Sequence, residues 1–297
     1  MHRRTLLALG LLNAVATARL SAATAASEHL TVHDLMLDGD PKVARRSLLL
    51  VPRGPAKGPR PLLVLLHGLG ETRHELLGIH AWGEKYGLVS AYERLRRPPL
   101  ERTLEKERYL SDDRLVELNA SLAARPFEGM VVACPYTPNP YRAGGEKALD
   151  AYASWIETVL IPAARERAQL AAGTRAIGID GVSLGGYVAL EVFLRRPELF
   201  GVLGTVQPAI KSDRARYYAD RVAAAIHRVG PRAIHVETSS WDPYKSAART
   251  FYERLQELGV PSTFRLSAGP HNQAWLREVG TLEMLLWHDR QLSGRTG

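Results

Sequence analysis

Ser183 stands among glycines. The run Gly181-Val182-Ser183-Leu184-Gly185-Gly186 follows a short apolar stretch and leads straight into a long apolar segment. A serine hydroxyl is a weak nucleophile until a base takes its proton, and its Oγ must project clear of the backbone to attack. The spacing G-x-S-x-G at a strand-to-helix junction meets that need. A sharp turn presents the hydroxyl, and the glycines let strand and helix approach each other. The start of the helix then offers a backbone N–H, that of Leu184, to a developing oxyanion. Tight packing alone is the competing explanation for the glycines.

A nucleophilic serine needs a base and an acid that orients it. In the strand–turn–helix setting these follow the serine in the order acid, then histidine. The histidines after Ser183 are His227, His235, His271 and His288. His227 falls in a helical pattern and His235 inside a strand, so both read as packing residues. His288 is expected partly exposed near the end of a C-terminal helix. His271, in Ala268-Gly269-Pro270-His271-Asn272, occupies a turn after the last strand, where a general base can reach Ser183. For the acid, Asp242 in Ser240-Trp241-Asp242-Pro243 follows a strand and precedes a helix. It can also cap that helix, with Pro243 in the first turn. Glu237, at the strand end, is the rival. A second oxyanion donor is expected from His67-Gly68-Leu69-Gly70-Glu71, with the N–H of Leu69 nominated and Gly70 as alternate. His67 precedes the serine and reads as a buried structural histidine. Tyr136, Tyr141, Tyr187, Trp241 and Trp275 are candidate walls of a substrate pocket.

These residues need a scaffold. Short apolar runs bounded by turn residues predict buried strands over 47–51, 62–66, 130–133, 176–179, 202–206, 233–237 and 263–266. Helical patterns cover 148–169, 184–195, 214–229 and 244–258. The alternation predicts an α/β architecture: a mostly parallel central sheet with helices on both faces. Ligands then bind outside the carboxyl ends of the strands, where Ser183, Asp242 and His271 all fall.

The chain has 297 residues, 45% hydrophobic and 24% charged, as expected of an ordinary globular domain of this size. The first 26 residues read as an export signal. A basic Met1-His2-Arg3-Arg4 precedes an apolar run too short to span a bilayer and then an alanine-rich segment. Arg3-Arg4 suits a Sec or a twin-arginine route, and either delivers the protein to the periplasm or outside the cell. Residues 27–297 then form one domain. The net charge of +8 falls to +5 once Arg3, Arg4 and Arg19 leave. The densest charged stretch, residues 93–114, mixes both signs. It reads as part of a solvated helical insertion around 90–125, with no nucleic-acid stripe. Cys134 is the only cysteine, so neither an internal disulfide nor a zinc cluster can form, and a buried thiol is expected.

Three segments together carry a resemblance: RAIGIDGVSLGGYVALEVFLRRPELFG, ETSSWDPYKSAARTFYERLQELGV and SAGPHNQAWLREVGTLEMLLW. From about Pro61 onward the chain resembles the α/β-hydrolase esterase family that includes S-formylglutathione hydrolases, feruloyl esterases and mycolyltransferases. The resemblance implies an α/β-hydrolase fold and a serine carboxylic-ester hydrolase that needs no cofactor and no metal. It matches Ser183 to the nucleophile, Asp242 to the acid and His271 to the base. The implied substrate is a small-molecule or polymer-linked ester, with no nucleic-acid partner and no stable membrane insertion after signal removal. An acyltransferase or peptidase using the same residues, or a non-catalytic binding protein, are the alternatives. The chain departs from the family in the long charged segment near 93–125 and in Asn272-Gln273-Ala274-Trp275, where members often carry Asp-Trp after the histidine.

Overall fold

The computed structural model describes residues 27–54, 58–103 and 107–293, so the export-signal segment lies outside the described residues. Eight strands form one sheet: β1 (Leu30–Met36), β2 (Arg46–Pro52), β3 (Leu62–Leu66), β4 (Val131–Pro135), β5 (Ile177–Gly181), β6 (Val202–Val206), β7 (Ala233–Trp241) and β8 (Ser262–Pro270). Their spatial order is β1-β2-β4-β3-β5-β6-β7-β8. β1 and β2 pair antiparallel, β2 pairs antiparallel with β4, and the others run parallel.

Every residue of β3, β4, β5 and β6 is buried, as strands covered on both faces must be. Alternate side chains of β3 serve opposite cores. Leu62, Val64 and Leu66 face one, and Leu63 and Leu65 the other. The helices that cover the sheet are α1 (Leu88–Arg96), α2 (Asp112–Ala124), α3 (Glu146–Trp155), α4 (Leu184–Arg195), α5 (Ala215–Val229), α6 (Lys245–Glu257) and α7 (Thr281–Leu292). The first core takes Tyr152 of α3, Phe193 of α4, Val222 of α5 and Phe251 of α6. The second takes Tyr92 of α1, Leu118 of α2 and Leu285 of α7. Among the described residues no helix is long and apolar enough to cross a membrane.

The expected strands all form, each starting within one residue of its predicted position. Three differences have physical causes. The first is β1, an added edge strand whose outer residues, such as Asp34, stay partly exposed and break any apolar run. The second is the length of β7 and β8, each of which continues four residues past its apolar stretch. Their small polar residues keep pairing until Trp241 lies opposite Pro270, with an irregularity between Ser239 and Trp241. The third is the charged segment. Among its described residues it is helical in α1 and α2, and between them Leu100, Tyr109 and Leu110 are buried in the second core. Its arginines clamp α7 and the helical turn over Leu276–Gly280 that leads into it. Arg114 forks onto Glu283 through two bonds of 2.5 Å, and Arg94 donates to the carbonyl of Glu278 at 3.2 Å. The segment therefore combines a solvated outer face with an inner face packed on the second core and tied to α7 by Arg114.

Candidate active site

A sharp turn joins β5 to α4. Ser183 sits there at φ 57° and ψ −118°, a conformation that strains any residue with a side chain. The strain persists because the surroundings over-determine it. Its N–H donates to the carbonyl of Val206 at 3.0 Å, and its own carbonyl accepts from Ala209 at 2.9 Å. The flanking glycines are required by contact. A Cβ on Gly181 would lie 2.3 Å from the carbonyl oxygen of Gly185, and one on Gly185 would lie 2.2 Å from that of Leu66. Leu184 opens α4, so its N–H has no carbonyl one turn back to receive it.

Asp242 and His271 come together through sheet register. Trp241 and Pro270 are paired on adjacent parallel strands, so the residues that follow each emerge side by side. His271 Nδ1 lies 2.8 Å from Asp242 Oδ1. A carboxylate accepts, so Nδ1 carries a hydrogen, and in the neutral imidazole this tautomer leaves the lone pair on Nε2. The Asp242 carboxylate also accepts from the hydroxyl of Thr238 at 2.5 Å and from the N–H of Tyr244 at 3.0 Å. The bond to Tyr244 steadies the turn into α6, so orienting His271 and shaping the helix entry coexist in one side chain. Glu237 faces away from this group. It is wholly buried, and neither carboxyl oxygen has a hydrogen-bond partner among the described residues. Burial, reinforced by Glu283 and Asp180, pushes its pKa well above the usual carboxylate range.

Ser183 and His271 line a cavity of about 560 Å³ together with Leu69, Glu71, Tyr86 and Gln207. The loop after β3 forms one wall. A Cβ on Gly68 would lie 3.7 Å from that of Ser183, and Leu69 begins a short 3-10 turn over residues Leu69–Glu71. Two buried groups hold this loop. The N–H of Gly68 donates to the hydroxyl of Tyr86 at 3.2 Å, and that hydroxyl donates to Glu71. Burial and the neighbouring Glu71 raise the Tyr86 pKa, so the phenol stays a donor. Beneath the loop, His67 accepts from the N–H of Thr137 at Nε2 (2.9 Å) and donates from Nδ1 to the carbonyl of Gly68 (2.9 Å). Burial lowers its pKa to about 4, so it is a neutral structural link between β3 and β4.

No protein-family model and no curated protein matches the chain. Solved structures do. A ferulic acid esterase aligns with a TM-score of 0.62 over 89% of this chain and 98% of its own, at 17% identity. A fluorophosphonate-binding serine hydrolase of Staphylococcus aureus, solved with substrate bound, aligns at 0.59 over 88% and 99%, at 15% identity. An S-formylglutathione hydrolase from the same organism aligns at 0.57 over 88% and 97%, at 14% identity. The chain has the α/β-hydrolase fold.

Within this α/β-hydrolase fold the five aromatic candidates do not line the cavity beside Ser183. Trp275 is wholly buried. Its ring packs against Gly269 and Gly280, and its indole N–H donates to Ser267 at 2.8 Å. Tyr136 packs on His67 and donates to the carbonyl of Thr72 at 2.6 Å. Both serve structure because each has its polar atom tied to the backbone or to a strand. Tyr141 and Trp241 are exposed, and Tyr141 stacks on Tyr187 with ring centroids 6.1 Å apart. Asn272 caps the turn that carries Trp275, accepting from its N–H at 2.9 Å, a role that Asp could fill equally. Cys134 is buried in β4, and burial raises its thiol pKa.

Of the remaining histidines, His235 is buried in β7 and stacked on Trp287, whereas His227 lies exposed on α5. His288 is fully buried, contrary to the expected partial exposure, and its Nε2 lies 2.8 Å from Asp180 Oδ2. The reason is that α7 packs flat under the sheet and turns this edge towards β5. Glu71, Tyr86 and Gln207 are among the cavity residues that sequence reasoning missed. Only Gln207 carried a usable signal, since it follows the carboxyl end of β6.

Proposed function

We propose that the protein is an exported serine hydrolase that cleaves a carboxylic ester through Ser183, His271 and Asp242. The observation that carries this reading is the Nδ1–Oδ1 bond of 2.8 Å between His271 and Asp242, formed beside a serine held at φ 57° in the same cavity. The structural neighbours described as a ferulic acid esterase and a fluorophosphonate-binding serine hydrolase support it.

In this mechanism Nε2 of His271 takes the proton of Ser183 as Oγ attacks the ester carbonyl. Asp242 fixes the tautomer and stabilises the imidazolium that forms. The carbonyl oxygen becomes an oxyanion, held by the N–H groups of Leu184 and Leu69 and by the positive end of α4. The hydroxyl of Tyr86 already occupies the N–H of Gly68, so the donor from that loop is assigned to Leu69, with Gly70 as the alternate. Collapse expels the alcohol, which takes the proton back from His271. Water, activated by the same base, then releases the acid from the acyl-enzyme. Signal removal near Ala26 would place the mature N-terminus at Ser27, immediately ahead of β1.

The test is to trap the acyl-enzyme. Mixing the mature protein with a 4-nitrophenyl ester should give a burst of nitrophenolate and an acyl mass increment confined to the peptide that contains Ser183. Ser183→Ala should give neither. An increment elsewhere, or turnover unchanged in the variant, would reject the assignment.

A further inference from the structure

We infer that Gln207 is a substrate-recognition residue, and that the ester this enzyme prefers carries a hydroxyl or N–H group close to the scissile carbonyl. The inference rests on the hydrolase reading above. Gln207 is the first residue beyond β6, and the carbonyl of Val206 just before it receives the N–H of Ser183, so its backbone lies against the nucleophile turn. It adopts φ 45°, one of three positive values at non-glycine residues among those described, Ser183 being another. Its N–H donates to the carbonyl of Glu237 at 2.6 Å, which helps hold this conformation.

The side chain is wholly buried, and its two polar atoms are treated differently. Nε2 lies 3.2 Å from the carbonyl oxygen of Pro270 and 2.7 Å from Oγ of Ser239. A carbonyl only accepts, so the amide nitrogen must face Pro270 and the orientation of the group is determined. That leaves Oε1 on the other branch. It is buried, has no hydrogen-bond partner among the described residues, and belongs to a side chain that lines the cavity with Ser183 and His271. A buried acceptor left unpaired is costly, and folded proteins seldom tolerate one without a reason. Strain in the backbone and an orphaned acceptor coincide at one residue beside the nucleophile, as expected where a site is prepared for a ligand.

An acceptor needs a donor. An ester group has none, so the donor must be a substituent of the substrate. The hydroxyl or N–H can sit on the acyl part or on the alcohol part, and matched ester pairs separate the two. For the acyl side, compare 4-nitrophenyl 3-hydroxybutyrate with 4-nitrophenyl butyrate. For the alcohol side, compare glyceryl monobutyrate with propyl butyrate. A site built to receive a donor discriminates strongly against the analogue that lacks it. The hydroxylated member of one pair should be favoured at least about tenfold in kcat/KM, and that preference should fall to near one in Gln207→Met. A ratio within about twofold of one for both pairs in the wild-type enzyme overturns the proposal and assigns Oε1 to a bound water, whether or not the variant folds. A preference that persists in Gln207→Met overturns it as well. Fluorophosphonate labelling of Ser183 run alongside separates the two levels. Labelling with no discrimination removes only the role of Gln207, whereas no labelling and no turnover of any of the four esters removes the hydrolase reading with it.

Discussion

Two histidine–carboxylate pairs, His271–Asp242 and His288–Asp180, both measure 2.8 Å. His271–Asp242 sits on loops at the ends of β8 and β7, with the imidazole 24% exposed and facing a cavity. His288–Asp180 joins α7 to β5, with both side chains fully buried. Asp180 is only three positions before Ser183, yet its strand residue points to the α7 side of the sheet. Burial raises the pKa of Asp180, a cost that hydrogen bonds from His288 and from the N–H of Gly181 partly offset. The distance between partners is therefore no guide to function. What separates the pairs is whether the second nitrogen of the imidazole can meet a nucleophile and a substrate. In the proposed mechanism one pair orients a base, and the other pair fastens a helix beneath the sheet.

This contrast makes predictions of different size. The largest concerns the carboxylates. Asp242→Asn should lower kcat by about 10⁴ while the protein stays folded, because the histidine then adopts the wrong tautomer. Asp180→Asn should lower kcat by less than about tenfold, its cost appearing as a lower Tm. Steady-state kinetics with circular dichroism on both variants checks the pair, and the reverse ranking would exchange the roles.

A smaller effect is expected from the loop that carries Leu69. Tyr86→Phe removes the acceptor for the N–H of Gly68 and the donor to Glu71. If that loop positions an oxyanion donor, kcat should fall about tenfold with KM within about twofold, since the contact strengthens only in the transition state. A rise in KM at constant kcat would instead place Tyr86 in ground-state binding.

The smallest effect concerns stability and pH. Glu237 has a folded-state pKa raised above its unfolded value of about 4.3. The folded protein therefore holds the proton more tightly than the unfolded chain does. This contribution to stability is complete below about pH 4.3 and is lost as pH rises towards the folded pKa. Glu237→Gln removes the loss, so its Tm should exceed that of the wild type by a margin that grows from pH 4.5 to pH 8. A constant margin would mean that Glu237 is not protonated in the folded protein.

Much of this was legible from short patterns. Strands buried on both faces announce themselves as apolar runs, and the glycines around Ser183 mark a turn that only glycines allow. The order of elements then places Ser183, Asp242 and His271 at one end of the sheet. What escaped the sequence depends on long-range pairing. β1 is an edge strand with partly exposed polar residues, so no apolar run reveals it. The last four residues of β7 and β8 look like turns until each strand is seen to pair with the other. Tyr86 reaches Gly68 across 18 positions, and nothing local marks it. From sequence alone Trp275 and Tyr136 suit a pocket wall as well as a core, because large aromatics serve both. Only the partners of their polar atoms distinguish the two.

The central claim is that Ser183 is activated by the exposed pair and not by the buried one. Its most direct test is the rate of covalent labelling by a fluorophosphonate, with the adduct mapped by mass spectrometry, in the wild type, His271→Ala and His288→Gln. The account predicts one adduct, on Ser183. Its rate should fall by at least about 10² in His271→Ala and stay within a few-fold in folded His288→Gln. An adduct on another residue, or a labelling rate unaffected by the loss of His271, would contradict it.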